Sequence, residues 1–411
     1  MRPLKQPSCS DALISGNLYR FPAACDNRKL ARGGSSARDY HTYLRYVTVT
    51  GKKLGFKPSS VAANSSIACA RRTPPTPSIV YDTYWRFAVE RQQLYFNRLS
   101  SESGPWTKDP VLAEYKFTNA YRAADRVSQY LIREVIYKGS FDAPDIAFRI
   151  ILFKLFNKIE TWELLTARFG ALSTAVFDVD RFDGVLSQAL RSGMRIYSAA
   201  YIMPNAPRLQ EGSYKHRTHL DLLQFIVKSG LLRQLVQAES MQRVYELLLS
   251  LPSIGPFLAY QYAVDLNYSP ISDFSENEFV QPGPGALNGL SKCFSSLGDY
   301  SPADAIRWVT EQQDSEFNAR GLTFKSLWGR PLQLIDCQNL FCEVDKYARV
   351  VHPEFSALTG RARIKQKFSS NGELPAPFFP PKWKLKLAPP KESSPYPFQK
   401  TQRKAQNNLF A

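Results

Sequence analysis

Two helical patterns, Met241–Ser250 and Pro256–Leu266, are separated by only five residues, Leu251-Pro-Ser-Ile-Gly255. Pro252 stops the first helix, because a proline disfavours helical geometry in the residue before it. Gly255 permits a tight backbone turn, and Pro256 suits the first turn of a new helix, where its missing N–H costs nothing. The stretch Leu251–Ala259 therefore reads as a hairpin between two helices, and the chain has to be built around it. The backbone at Gly255, Pro256 and Phe257 opens the second helix, where N–H groups can hold a phosphate without reading sequence. An ordinary helical hairpin has the same pattern.

Helical periodicity runs through most of Ser78–Val350, with candidate helices at 82–99, 109–137, 143–158, 160–169, 178–192, 219–229, 231–238, 241–250, 256–266, 302–312 and 336–349. Period-two patterns are scarce, Arg195–Ile202 being a candidate strand, and no internal repeat is present. The predicted fold class is all-α: a helical body over 78–360, with disordered basic segments at 1–77 and 361–411. The net charge of +17 follows the same division. Residues 1–75 carry 13 Lys/Arg against 3 Asp/Glu, and residues 361–411 carry 11 against 2, so the body between them is close to neutral. Basic arms of this kind give a polyanion salt-sensitive, non-specific affinity. The Arg- and Ser-rich, acid-poor start also resembles a mitochondrial transit peptide. Thr73–Pro77 reads as a stiff linker, and the Lys/Pro-rich tail as extended or disordered.

The six cysteines are scattered and the histidines number four, which argues against both a disulfide framework and a structural zinc site. No apolar run approaches membrane-spanning length. An intracellular, reducing environment is expected, nuclear if the host is eukaryotic.

Two further stretches carry chemistry. After the hairpin come Asp265, Asp273, Glu276 and Glu278, then Pro282-Gly-Pro-Gly285-Ala-Leu-Asn-Gly289. Gly283, Gly285 and Gly289 would permit close backbone approach to a phosphate or a flipped nucleotide; a surface loop capped by acids is the plainer reading. Along the predicted helix 109–137, Phe117, Ala120, Ala124, Val127, Leu131 and Val135 form an apolar stripe. Asn119, Arg122, Arg126, Gln129 and Arg133 then lie on the opposite face, where guanidinium forks match phosphate oxygens. A solvated helix face would look the same.

Several segments, in order, are more distinctive than their composition: Tyr84-Trp-Arg-Phe-Ala-Val-Glu-Arg91, Pro105-Trp-Thr-Lys-Asp-Pro110, Tyr115-Lys-Phe-Thr-Asn-Ala-Tyr-Arg122 and Asp125-Arg-Val-Ser-Gln-Tyr130. Phe153-Lys-Leu-Phe-Asn-Lys158 with Trp162, the hairpin, the Pro-Gly-Pro-Gly loop and Leu332–Tyr347 complete the series. Over roughly residues 79–385 the series resembles the α-glutamyl/putrescinyl thymine pyrophosphorylase family, whose helical unit also occurs in 5-hydroxymethyldeoxyuridine DNA kinases. That family is regarded as a relative of helix-hairpin-helix DNA glycosylases, in which an essential aspartate follows the hairpin. Asp273, eighteen residues after Gly255, matches that spacing best.

The resemblance implies DNA as a partner and an amine displacing the phosphate leaving group of a phosphorylated 5-hydroxymethyluracil. A separate hydroxymethyluracil DNA kinase and a thymine-oxidising dioxygenase would supply that substrate. The kinase loop G-x-x-x-x-G-K-[ST] is not found; Gly51-Lys-Lys-Leu-Gly-Phe-Lys57 comes nearest, with the wrong spacing. Such chemistry needs an unstacked base, for which Trp85, Trp106 and Tyr121 are candidate stacking partners. It needs cations for the leaving group, with Arg91, Lys116, Arg122 and Arg126 matching the family motifs and Mg²⁺ a candidate helper. It also needs a base for the amine, drawn from Asp109, Asp125, Asp265, Asp273 and Glu276, with Asp273 favoured. Glu343, Asp345, Lys346 and Arg349 crowd a late helix beside Asp336 and Asn339 as candidate site groups. A base-excising glycosylase and a non-catalytic DNA-binding module are the competing readings.

Overall fold

The computed structural model describes residues 72–387, apart from 102, 200–213, 359, 361 and 371–373. The expectations for residues 1–71, for the tail beyond 387 and for the end of the candidate strand at 200–202 lie outside the described residues.

The described chain is almost wholly helical, as the periodicity predicts. A two-residue strand, β1 (Thr76–Pro77), leads into α1 (Ile79–Ser100), whose N-cap Ser78 accepts the Val80 N–H. Then come α2 (Pro110–Glu114), α3 (Arg126–Tyr130), α4 (Ala143–Phe156), α5 (Ile159–Phe169) and α6 (Val179–Arg191). After the undescribed segment follow α7 (Lys215–Lys228), α8 (Leu231–Val236), α9 (Met241–Leu249) and α10 (Pro256–Asn267). The chain continues through α11 (Pro284–Cys293), β2 (Phe294–Ser296), α12 (Pro302–Glu311), α13 (Gln313–Ala319) and α14 (Leu334–Val351). The two strands pair antiparallel, so Thr76–Pro77, read as part of a linker, is instead tied to the body. Arg195–Ala199 forms no strand among the described residues.

Two helices set the interior. In α10 every residue from Leu258 to Asn267 is buried, and in α4 every residue from Ile146 to Phe156. A helix enclosed on all sides shows no polar face, so its burial follows from near-continuous apolar sequence rather than from amphipathic spacing. α10 pairs with α9 through the hairpin, where Leu251 and Ile254 are buried. The left-handed residue of that turn is Ser253 (φ 66°), whereas Gly255 is extended at φ −81°. The tight turn predicted at the glycine is therefore made two residues earlier.

The second layer is built on α14, which packs against α1, α11 and α12. Here the glycine-rich stretch departs from its predicted loop. Gly283 is the N-cap of α11 and Pro284 occupies its first turn. A Cβ on Gly285 would sit 2.8 Å from the Cys342 sulfur, and one on Gly289 would fall on the Phe341 carbonyl. A Cβ on Gly283 would meet the Phe257 ring at 2.5 Å. These glycines let α11 lie directly on α14 and on the start of α10; Gly283 and Gly285 form no open phosphate cradle.

The largest departure is residues 109–137, which are not one helix. After α2, residues 115–121 run irregularly, followed by a 3₁₀ turn at Arg122–Ala124, then α3, then a π-helical turn at Leu131–Ile136. The N–H groups that a continuous helix would use are claimed by side chains. Thr118 N–H donates to Glu343 (3.1 Å), Asn119 N–H to Asp125 (2.7 Å) and Arg122 N–H to Asp336 (2.9 Å). The described part of the tail is extended but packed: Lys116 N–H donates to the Gln366 carbonyl, and Phe379 is buried against Trp383.

Gly289→Ala should cost about 3 kcal/mol or more, since the obstructing atom is backbone and cannot turn aside. Gly255→Ala, with no atom within 4 Å of its Cβ, should stay within about 1 kcal/mol of the parent. Urea unfolding of the two variants measures the difference.

Candidate functional site

Segment 117–125 lies between the two layers, and the groups singled out in the sequence collect on it unevenly. Arg122 is 2% exposed. Its Nη1 donates to Asp265 Oδ1 at 2.7 Å and its Nε to Gln261 Oε1 at 2.9 Å, both on α10. Lys154, the one charged residue in the second half of α4, reaches Asp265 Oδ2 at 3.0 Å and Asn157 Oδ1 at 3.0 Å. Burial alone would raise the Asp265 carboxyl, but the charges of Arg122 and Lys154 outweigh it and hold the carboxyl low. Burial depresses the Lys154 ammonium in turn. The predicted stripe of Arg122, Arg126 and Arg133 on one helix face does not exist, because the helix does not. Arg122 points inward, Arg126 is exposed, and Arg133 donates to the Ala376 carbonyl of the tail.

On the other side of the segment, Arg91 of α1 is 8% exposed and its Nε donates to the Thr118 carbonyl at 2.8 Å. Burial lowers the guanidinium to about 10, and its Nη1 is buried without a hydrogen-bond partner. Asp125 is half-buried; loss of hydration pushes its carboxyl up to about 7, against the lowering effect of the Asn119 N–H and of Arg91. Asn119 clamps the turn, its Nδ2 donating to the Ala124 carbonyl at 2.7 Å, while Asn339 Nδ2 donates to Thr118 Oγ1 at 2.9 Å. Glu343 is buried beneath, taking the Thr118 N–H and pairing with Lys346 at 2.5 Å. Lys346 is partly exposed, and its ammonium lies 5.4 Å from the Phe117 ring centre. Thus Arg91, Asn119, Asp125, Glu343 and Lys346 converge, and Lys116 extends from the same segment into solvent.

Other candidates lie elsewhere. Asp273 is exposed and faces Lys382 at 3.6 Å. Asp345, two residues from Glu343, points to the opposite side of α14, where Lys292 (2.9 Å) and Arg349 hold it. Asp109 caps α2 and accepts the Tyr347 hydroxyl. Glu276 pairs with Arg330 at 2.7 Å, and burial raises its carboxyl. Asp336 accepts the Arg122 and Gln333 N–H groups, and burial pushes it up to about 7. The proposed stacking residues are structural: Trp85 is fully buried among Tyr81, Tyr84 and Phe317, and Tyr121 is buried with its hydroxyl on the Arg330 carbonyl. Trp106 is covered by Arg98, 5.0 Å from its ring centre, and by Phe368. Gly255 and Pro256 are exposed and Phe257 half-buried at the start of α10. Among the described residues no group of three or more His, Cys, Asp or Glu could hold a metal ion. No described helix is long and apolar enough to cross a membrane.

Sequence reading missed Lys154, although a single charge within the apolar run Ile150–Phe156 was the available signal. It also missed the role of Gln261.

The geometry defines an all-α protein whose two helical layers are joined by a buried polar segment. Residues 78–357 match the family described as 5-hmdU DNA kinase, helical domain, and the chain belongs to that family. The 5-hmdU DNA kinase of Bacillus phage SP10 is 29% identical over 299 residues, covering 67% of this chain and 46% of the phage protein. The chain thus spans about half the length of that curated relative. No solved structure matches it.

Asp265→Asn should destabilise the protein by about 3–5 kcal/mol, because it leaves both Arg122 and Lys154 buried without their counter-ion, whereas Arg122→Met, which leaves Asp265 paired with Lys154, should cost less. Denaturant unfolding should find the double variant less damaged than the two losses added together. The raised carboxyls act in the opposite direction to Asp265. Native Asp125 and Asp336 hold protons that the unfolded chain has released between about pH 3.8 and 7, so their contribution to stability falls as pH rises through that window. Asp125→Asn should flatten that part of the stability profile.

Proposed function

We propose that this protein works in the hypermodification of thymine-derived bases in DNA, replacing the phosphate leaving group of a phosphorylated 5-hydroxymethyluracil with an amine. Membership of the 5-hmdU DNA kinase helical-domain family supports the substrate. Residues 1–411 contain no G-x-x-x-x-G-K-[ST] loop, and in this reading the phosphorylated base is supplied by a hydroxymethyluracil DNA kinase acting after a dioxygenase that oxidises the thymine methyl. The observation that carries the reading is Asp125: a half-buried carboxyl pushed up to about 7, on the same turn as Asn119 and close to Arg91. A carboxylate with that affinity for protons can take one from an ammonium near neutral pH. Asp125 therefore replaces Asp273 as the assigned base, since Asp273 stands in solvent.

In this reaction Asp125 removes a proton from the incoming ammonium and frees its lone pair. The nitrogen attacks the exocyclic methylene carbon, the carbon–oxygen bond breaks, and the electron pair leaves with the phosphate. Arg91, whose buried Nη1 has an N–H to offer, and the exposed Lys116 and Arg126 supply positive charge to the leaving group. No step is assigned to a metal held by this chain. The N–H groups at the start of α10 bind backbone phosphate in the manner of a helix-hairpin-helix, giving salt-sensitive affinity with little sequence preference. Work on DNA assigns the protein to an intracellular compartment, the nucleus in a eukaryotic host.

One observation favours a second reading, a DNA-binding module without catalysis that serves a separate enzyme. Arg122, the strongest candidate for the leaving group by motif, is closed into the interior by Asp265.

The test is mass spectrometry of nucleosides after incubating the protein with phosphorylated hydroxymethyluracil DNA and a pool of amines. Turnover by the parent should rise with pH through about 7. Asp125→Asn should lower the rate by about 10²–10⁴-fold and be partly rescued at high pH, whereas Asp273→Asn should match the parent. DNA binding with no turnover by the parent would establish the module reading instead. In the same preparations Gly255→Glu should weaken DNA binding while leaving the unfolding transition near that of the parent.

A further inference from the structure

Beside the segment, on the outer side of α1, an open pocket of about 410 Å³ lies between the C-terminal half of that helix and the turn at residues 325–328. That volume falls in the range of about 300–1,000 Å³ typical of small-molecule sites. Its apolar wall is made by Phe96, Leu99 and Trp328, and Gln93, Asn97 and Lys325 bring polar atoms to the rim. None of these residues belongs to the site described above, yet the two are neighbours. Phe96 packs at 5.6 Å on Tyr95, whose phenol feels the charges of Arg91 and Asp125.

The pocket combines three chemistries. Trp328 and Phe96 meet edge to face at 5.2 Å, and Phe379 supports Trp328 from behind at 5.8 Å. Trp328 takes a left-handed backbone (φ 50°), an uncommon conformation for a bulky residue, within the Leu327–Arg330 turn. The Lys325 ammonium stands 3.9 Å from the Phe96 ring centre, a cation at the mouth of an aromatic wall. Gln93 donates one N–H to Asn97 Oδ1 at 2.8 Å. A carboxamide has a second N–H and an oxygen, which present a donor and an acceptor side by side.

We propose that this pocket holds one pyrimidine base of the uracil class, its ring on Trp328, its imide edge on the Gln93 carboxamide and its neighbouring phosphate on Lys325. The imide N–H donates to Gln93 Oε1, and a ring carbonyl accepts from Gln93 Nε2. The same carboxamide can also meet the N4–H and N3 edge of cytosine or the N6–H and N7 edge of adenine, so the choice of a uracil-class base rests on the proposed function. The proposal deepens the reading of the chain as a DNA thymine-modifying protein and rests on it for the strand to which the base belongs.

The experiment uses the full chain and single-stranded oligonucleotides carrying one central 5-iododeoxyuridine, thymine or N3-methylthymine. Ultraviolet cross-linking of the iodinated strand, with peptide mapping, should mark Trp328 or Phe96. Trp328→Ala should weaken binding by roughly 5- to 150-fold. Gln93→Leu, at an exposed position where folding is not at risk, should abolish the preference for thymine over N3-methylthymine. Lys325→Ala should lower the salt dependence of binding by about one phosphate contact. Cross-links elsewhere, with affinity unchanged in the Gln93 and Trp328 variants, would overturn the pocket while leaving DNA binding intact. Quenching of Trp328 by thymidine monophosphate, absent in Trp328→Phe, with no DNA bound, would uphold the pocket for free nucleotides and overturn the DNA reading. Binding of neither ligand would overturn both.

Discussion

Arg122, Asp265 and Lys154 form the contact on which the arrangement of the two layers depends. Three ionised groups, all but removed from water, join a turn between the layers to α10 on one side and α4 on the other. Taking such charges out of water costs several kcal/mol per ion, which their mutual attraction offsets only when the geometry is good and the remaining hydrogen bonds are made. Here Gln261 and Asn157 make two of those bonds. The gain over an apolar filling is small, but the alternatives are costly: any register that separates the three leaves buried charge unpaired. The triad selects one packing more than it deepens the energy of that packing.

The same turn ties in the second layer by its backbone. Glu343 and Asp336 of α14 take the Thr118 and Arg122 N–H groups, and Asp125 takes that of Asn119. Three carboxylates thereby satisfy donors that would otherwise be orphaned by the break in helix. This is also how an acid of unusual proton affinity arises at the candidate site. Asp125 is kept where hydration is poor, near Arg91 but also near the like charge of Glu343, and burial prevails. Structural need and chemical opportunity thus share one segment.

Close packing sets the remaining geometry. α11 can lie on α14 only because glycines face Phe341 and Cys342, and the Phe257 ring at the start of α10 rests over Gly283. The hairpin is in this way joined to the second layer through one aromatic ring. The start of α10 and the candidate site therefore belong to one packed body rather than to independent modules.

Most of the architecture could be read from the chain: the all-α class, the hairpin at 251–259 and the bounds of most helices follow from local rules of periodicity and of proline and glycine placement. Those rules hold because a helix bonds to its own backbone within four residues. They fail at 109–137, where Phe117, Ala120, Ala124, Leu131 and Val135 are buried but on no single helix, because two of the backbone N–H groups are taken by carboxylates more than 200 residues away, which no local pattern records. They fail again at 283–289, where glycines that suggest a flexible loop are there to admit a neighbouring helix. The candidate site divides along the same line. The residue types that gather there, Arg91, Asn119, Asp125, Glu343 and Lys346, were legible in the sequence. Which of the arginines stays near the acid, which is neutralised in the interior, and that Asp273 stands apart were decided by tertiary packing, because direction and burial depend on groups distant along the chain.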